Sequence, residues 1–170
     1  MGNNKNENHL PIYGPGPVYV GVIVALTAAA VLFRNASIFA DGKVTFARVP
    51  FVVAGSFSIL SGIALWIYAV PVSKIDDGIL ENRLVTTGAY AWVRNPIYSA
   101  FMILCTGVIL ILGNLYFLIL PLIFWIFMTI LMKHTEEVWL KDLYGKEYED
   151  YCKRVNRCWP WLPGKDRHSA

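Results

Sequence analysis

The chain has 170 residues, 56% of them hydrophobic and 14% aromatic, with a mean hydropathy of +0.47. Only 16% are charged, against roughly 25% in an average soluble domain, which leaves too little surface polarity for a water-soluble fold. The net charge of +3, with no Lys/Arg-rich block, argues against nucleic acid as a partner, and the length suits one domain.

Residues 1–17 read as an N-terminal tail. One lysine and the stretch Tyr13-Gly14-Pro15-Gly16-Pro17 make a poor signal peptide, and Asn6 stands where a myristoylation motif needs Ser or Thr. Two apolar spans follow within 18–70, from about Val18 to Phe33 and from about Phe51 to Val70. Their small residues recur at helical spacing (Gly21, Ala25, Ala28 and Ala29, then Gly55, Ser58 and Gly62), as expected of a plain helix interface.

Residues 71–96 form a connection long for a membrane protein, and Ile75, Leu80, Leu84, Val85, Tyr90 and Trp92 make it too apolar for disorder. From Ile97 to Met132 no charged residue occurs. As one helix this stretch would be about 54 Å long, nearly twice the roughly 30 Å of a hydrocarbon core. It must fold back on itself, and Gly113-Asn114 is the expected turn. Pro121 is expected to kink the second arm.

Residues 133–170 continue the fourth span out of the bilayer. Gly145 marks a break, and a second short helix follows with Tyr144, Tyr148, Tyr151 or Cys152, and Val155 on one face. Trp159 and Trp161 flank Pro160, as residues at the headgroup level often do. With four spans, twelve of the fifteen Lys/Arg residues share one side, which places both termini in the cytosol. The fold class is therefore all-α: a polytopic membrane bundle of about four transmembrane helices with cytosolic C-terminal helices. It belongs in a plasma or inner membrane, or in the endoplasmic reticulum of a eukaryote.

Two places carry chemistry. Arg94-Asn95-Pro96 enters the third span, with Asn95 as N-cap and Pro96 as first helical residue, so free N–H groups and the Arg94 charge favour an anion. Glu136 and Glu137 stand where the fourth helix leaves the membrane, costly if they face lipid. About 100° apart on a helix, one faces the protein while the other meets water or Lys141. Tyr90, Tyr98, Tyr144, Tyr148 and Tyr151 supply aromatic walls with hydroxyl tips. Cys105, Cys152 and Cys158 form neither a CxxC pair nor a His/Cys cluster, so they read as free thiols and no metal is expected. The residues thus describe a cytosolic pocket suited to a zwitterionic, aromatic cofactor.

The run from Leu84 to Tyr98, LVTTGAYAWVRNPIY, resembles the G-x-Y-x-x-V-R-[HN]-P-x-Y signature of the isoprenylcysteine carboxyl methyltransferase and phospholipid methyltransferase superfamily. Glu136-Glu137, Tyr144-Gly145-Lys146-Glu147-Tyr148, Tyr151, Val155, Arg157 and Pro160 resemble its second signature, so the likeness covers about half the chain, from Ile79 to Pro160. Asn95 replaces a commoner histidine, and Ala100 stands where a glycine often follows the tyrosine.

The resemblance implies an integral membrane methyltransferase. It would move a methyl group from S-adenosylmethionine to an apolar or lipid-anchored acceptor, either an isoprenylcysteine carboxylate or a phospholipid amine. It implies cofactor binding by Val85, Gly88, Tyr90, Val93, Arg94, Asn95, Pro96, Tyr98, Glu136, Glu137, Tyr148 and Tyr151, with Arg94 and Glu137 as the catalytic residues. The expected partners are a lipid-like acceptor and the bilayer. Two other readings stand beside it: an NADPH-dependent membrane sterol or steroid reductase, whose C-terminal pattern is similar, and a non-catalytic four-span protein.

Overall fold

The computed structural model describes residues 14–72 and 84–161, with the backbone alone at Pro71 and Val72. Residues 73–83 of the long connection lie outside the described residues, as do Lys5, Lys74, Arg83, Lys165 and Arg167 of the charge count. Among the described residues six α-helices run in the order α1 (Gly16–Phe33), α2 (Arg48–Val72), α3 (Pro96–Leu112), α4 (Ile119–His134), α5 (Glu136–Tyr144) and α6 (Lys146–Arg154). No strand occurs among the described residues, so this is an all-α membrane bundle. Gly16–Phe33, Arg48–Val70 and the combined stretch Leu115–Tyr144 are long and apolar enough to cross a membrane. Pro96–Leu112, at 17 residues, is a shorter apolar helix.

Helix α3 is the spine. Its buried residues Ser99, Ala100, Met102, Cys105, Gly107 and Ile109 lie on more than one face, because α2 packs on one side and α1 and α4 on others. Every seventh residue of α2 (Gly55, Gly62, Ala69) is buried, forming one seam along the helix. A Cβ at Gly55 would lie 2.6 Å from the Gly107 carbonyl, and one at Gly62 would lie 2.8 Å from that of Ala100. Small residues on α2 thus let its backbone come close to that of α3. In α1 the expected stripe is corrected: Tyr19, Ile23, Thr27 and Ala30 face inward, while Gly21, Ala25 and Ala28 face outward. Tyr19 supplies an anchor that small residues lack, since its buried hydroxyl donates to the Phe124 carbonyl at 3.3 Å.

The hairpin turns where expected. Gly113 adopts φ +60° after Leu112, and buried Asn114 accepts from the Tyr116 N–H at 3.0 Å and donates to the Phe39 carbonyl at 2.8 Å. Pro121 does not kink α4. It is the third residue of that helix, following a 3-10 turn at Leu115–Leu118, where a missing N–H removes no intrahelical bond. Nor does α4 run straight into the tail. Thr135 leaves helical geometry (φ −128°, ψ −87°), so the fourth apolar segment ends with α4 and the acidic pair opens a new helix. The break at Gly145 (φ +52°) and the following helix with buried Tyr148 and Tyr151 agree with the sequence reading.

Candidate functional site

The connection before α3 and the C-terminal cap meet at the open end of the α3–α4 hairpin. Gly88 (φ +62°) starts a 3-10 turn, Gly88–Ala91, behind which Ala89 and Val93 are fully buried. The cap is tied to this turn through backbone groups: the Arg94 N–H donates to Asn156 (2.8 Å), the Trp161 N–H to Trp92 (3.0 Å) and the Tyr151 hydroxyl to Tyr90 (2.7 Å). Pro96 is the first residue of α3, as expected, but the Asn95 side chain does not cap it. Its amide donates instead to the Arg157 carbonyl at 3.1 Å, because the C-terminal segment passes within reach.

The acidic pair divides into two clusters. Glu137 accepts from Nε and Nη2 of Arg157 (the latter at 2.8 Å) and lies 3.1 Å from Nη1 of Arg94. The same Arg94 nitrogen donates to Cys152 Sγ at 2.6 Å. Glu137 thus joins three chain segments, and its carboxylate raises the Arg157 guanidinium above its ordinary value. Lys141, the expected surface partner at i+4, pairs with Glu149 at 2.7 Å, since both arginines already occupy Glu137.

Glu136 turns the other way and accepts from the Tyr98 hydroxyl at 2.7 Å. Both acids therefore face protein, where one had been expected to meet water or Lys141. Among the described residues no cation lies within ion-pairing distance of Glu136, and burial pushes its carboxyl above the ordinary 4.5 despite the phenol. The Tyr90 phenol is raised by its own burial and then by the Glu136 charge, which places the two near each other. Tyr148 and Tyr151 pack with ring centroids 6.2 Å apart, and burial raises both.

Of the expected residues, the structure brings together Arg94 with Glu137, Tyr98 with Glu136, and Tyr90 with Tyr151. Val85 and Gly88 are partly buried, with Gly88 shaping the turn, and Val93 and Pro96 are buried beneath the site. A cleft of about 390 Å³ opens over the Glu137 cluster, lined by Lys133, Glu137, Val138, Tyr148 and Cys152 among others. Sequence reasoning assigned no site role to Arg157, Cys152 or Asn156. Arg157 stood inside the second signature, and a partner for a half-buried acid was the signal that could have singled it out.

Comparison with known proteins places the chain in a family. Residues 51–147 match the phospholipid methyltransferase family, and the chain belongs to it. A protein-S-isoprenylcysteine O-methyltransferase of Schizosaccharomyces pombe is 38% identical over 84 residues, 49% of this chain and 35% of that protein. A probable protein-S-isoprenylcysteine O-methyltransferase of Oryza sativa subsp. indica is 32% identical over 83 residues, 48% of this chain and 43% of that protein. The Mus musculus protein-S-isoprenylcysteine O-methyltransferase is 35% identical over 84 residues, 49% of this chain and 29% of that protein. The matched part thus spans well under half the length of these relatives. No solved structure matches the chain.

Proposed function

We propose that the chain forms one membrane methyltransferase domain. It would move a methyl group from S-adenosylmethionine to an apolar or lipid-anchored acceptor, with the site facing the cytosol. The observation that carries this reading is Glu136: a half-buried carboxylate with no cation in ion-pairing distance among the described residues, bonded to the phenol of Tyr98 and near that of Tyr90, at the open end of the hairpin. A carboxylate drawn partly out of water with no nearby counter-charge is costly, and an organic cation between aromatic rings would offset that cost. A sulfonium fits this description. Arg94 Nε, buried without an acceptor, supplies a donor for the carboxylate of the same cofactor.

The bound cofactor would supply a methyl group on a sulfonium, open to in-line displacement. The chain's own task is then alignment and exclusion of water. Glu136 and Tyr98 orient the cation, and Tyr148 and Tyr151 cover the site from the cap. Glu137, held by two arginines, clamps that cap onto the connection before α3 and so positions Arg94. A carboxylate acceptor is already a nucleophile and needs no base. An amine acceptor must lose a proton, and Glu136, with its raised proton affinity, is the group placed to take it.

The test is cofactor binding by the purified protein in detergent, with NADPH as the alternative ligand, followed by transfer of labelled methyl groups into native membrane extract. S-adenosylmethionine should shift the melting temperature and NADPH should not, with label recovered in the lipid or lipid-anchored fraction. A shift by NADPH alone, or by neither ligand, would refute the reading.

A further inference from the structure

The start of α1 lies against the proposed site, although the family match begins only at residue 51. A Cβ at Gly14 would lie 2.8 Å from Glu136 Oε1, and one at Gly16 would overlap the hydroxyl and ring edge of Tyr98. Neither glycine adopts a positive φ, so it is space rather than backbone conformation that excludes a side chain there. What these glycines touch is also unlike ordinary helix packing: a carboxylate oxygen and the phenol that donates to it, both proposed to face the cofactor.

The segment is held in place. Pro15 and Pro17 restrict the backbone, and the Pro15 carbonyl accepts from the Tyr19 N–H at 3.1 Å. Tyr19 is fully buried, with its ring edge-on to Tyr98 at 6.2 Å and 5.6 Å from the ring of Phe127. A wall anchored in the core cannot yield easily to a new methyl group, so the displaced atoms would be those of Tyr98 and Glu136. Gly21, one turn further along, has nothing within 4 Å of its Cβ position and is a natural control.

We propose that Gly14-Pro15-Gly16 is a positioning element of the active site: it holds the Tyr98 hydroxyl on Glu136 Oε1 and fixes how closely a bound cation approaches that carboxylate. The inference rests on the methyltransferase reading above. It gives α1 a part in cofactor affinity that the family-matched region alone does not supply.

The experiment measures the dissociation constant and KM for S-adenosylmethionine in wild type, Gly16→Ala, Gly14→Ala and Gly21→Ala, each in the full chain in detergent. Gly16→Ala should weaken binding about tenfold, the scale of one lost hydrogen bond to a charged group. Gly14→Ala should act in the same direction, and Gly21→Ala should stay within about twofold of wild type. Because an overlap at residue 16 can also impair folding, Gly14→Ala, which meets only the tip of a flexible carboxylate, decides the matter if Gly16→Ala does not fold. In a Tyr98→Leu background the Gly16→Ala change should add almost nothing, since the atom it displaces is gone. A merely structural role would lower the folded fraction and the apparent kcat while leaving the dissociation constant of the folded protein unmoved. Gly14→Ala and Gly16→Ala matching Gly21→Ala, with wild type binding normally, overturns this inference alone. Wild type that fails to bind S-adenosylmethionine removes the methyltransferase reading and this inference with it.

Discussion

Glu137 is the shared acceptor of two guanidinium groups, and replacing it by glutamine should loosen the C-terminal cap before it touches the rest of the bundle. The Arg94, Glu137 and Arg157 side chains are only 10%, 15% and 23% exposed, so the variant leaves two half-buried cations side by side without an anion. Breaking a buried pair costs about 3–5 kcal/mol, and the residual water access here lowers that to roughly 2–3 kcal/mol. The cap is otherwise held by the Tyr151–Tyr90, Arg94–Asn156, Trp161–Trp92 and Asn95–Arg157 hydrogen bonds, which do not involve the Glu137 carboxylate. Opening should therefore be local, and amide hydrogen exchange across α6 should rise roughly 30- to 150-fold while α3 and α4 keep their protection. Lys141→Ala, which removes a solvent-exposed pair with Glu149, should leave exchange in α6 near wild type. Equal exchange in Glu137→Gln and Lys141→Ala would show that the ion cluster does not hold the cap.

Three further outcomes follow from the same geometry. Because burial raises the Glu136 carboxyl, the ligand-free folded chain keeps that proton to higher pH than the unfolded chain. The group thus favours folding below its ordinary 4.5, and this contribution is lost as pH rises through the raised value. A cation needs the ionised form, so S-adenosylmethionine affinity should climb with pH through that window and then level off. Glu136→Gln should flatten the climb, and a flat wild-type profile would sink the assignment. Gly145 (φ +52°, ψ −123°) has open space around its Cβ position, so Gly145→Ala tests backbone strain alone and should lower detergent stability by about 1–3 kcal/mol; an unchanged melting temperature would contradict it. Gly107→Ala places a methyl 2.6 Å from the Gly55 carbonyl and should melt earlier than wild type, whereas Gly21→Ala should not. Equal melting temperatures would argue against the close α2–α3 seam.

What the sequence carried and what it did not divide along a physical line. The hairpin was legible because a length constraint decides it: 36 uncharged residues exceed a bilayer as one helix, and Gly113-Asn114 interrupts them near the middle. Gly145 was legible because a left-handed break has a residue preference. Pro121 misled, since its meaning depends on whether it stands in the first turn or the interior, and the 3-10 turn before α4 shifted that boundary. The acidic pair was found as a place but not as two roles. Helical angle separates Glu136 from Glu137 by about 100°, and only the folded cap brings Arg157 to one side and Tyr98 to the other. Spacing along one helix favoured Lys141 for Glu137, yet a bidentate guanidinium from twenty residues away has the better geometry and the drier setting. The contribution of Gly14 and Gly16 had no local signature at all. A glycine kept for space looks the same in sequence as one kept for conformation, and only the nearby Tyr98 ring and Glu136 oxygen tell them apart. The residues proposed to face the cofactor are therefore partly set by a helix that lies outside the family match. A truncation beginning at residue 51 would keep the matched region and lose the wall that holds Tyr98 on Glu136.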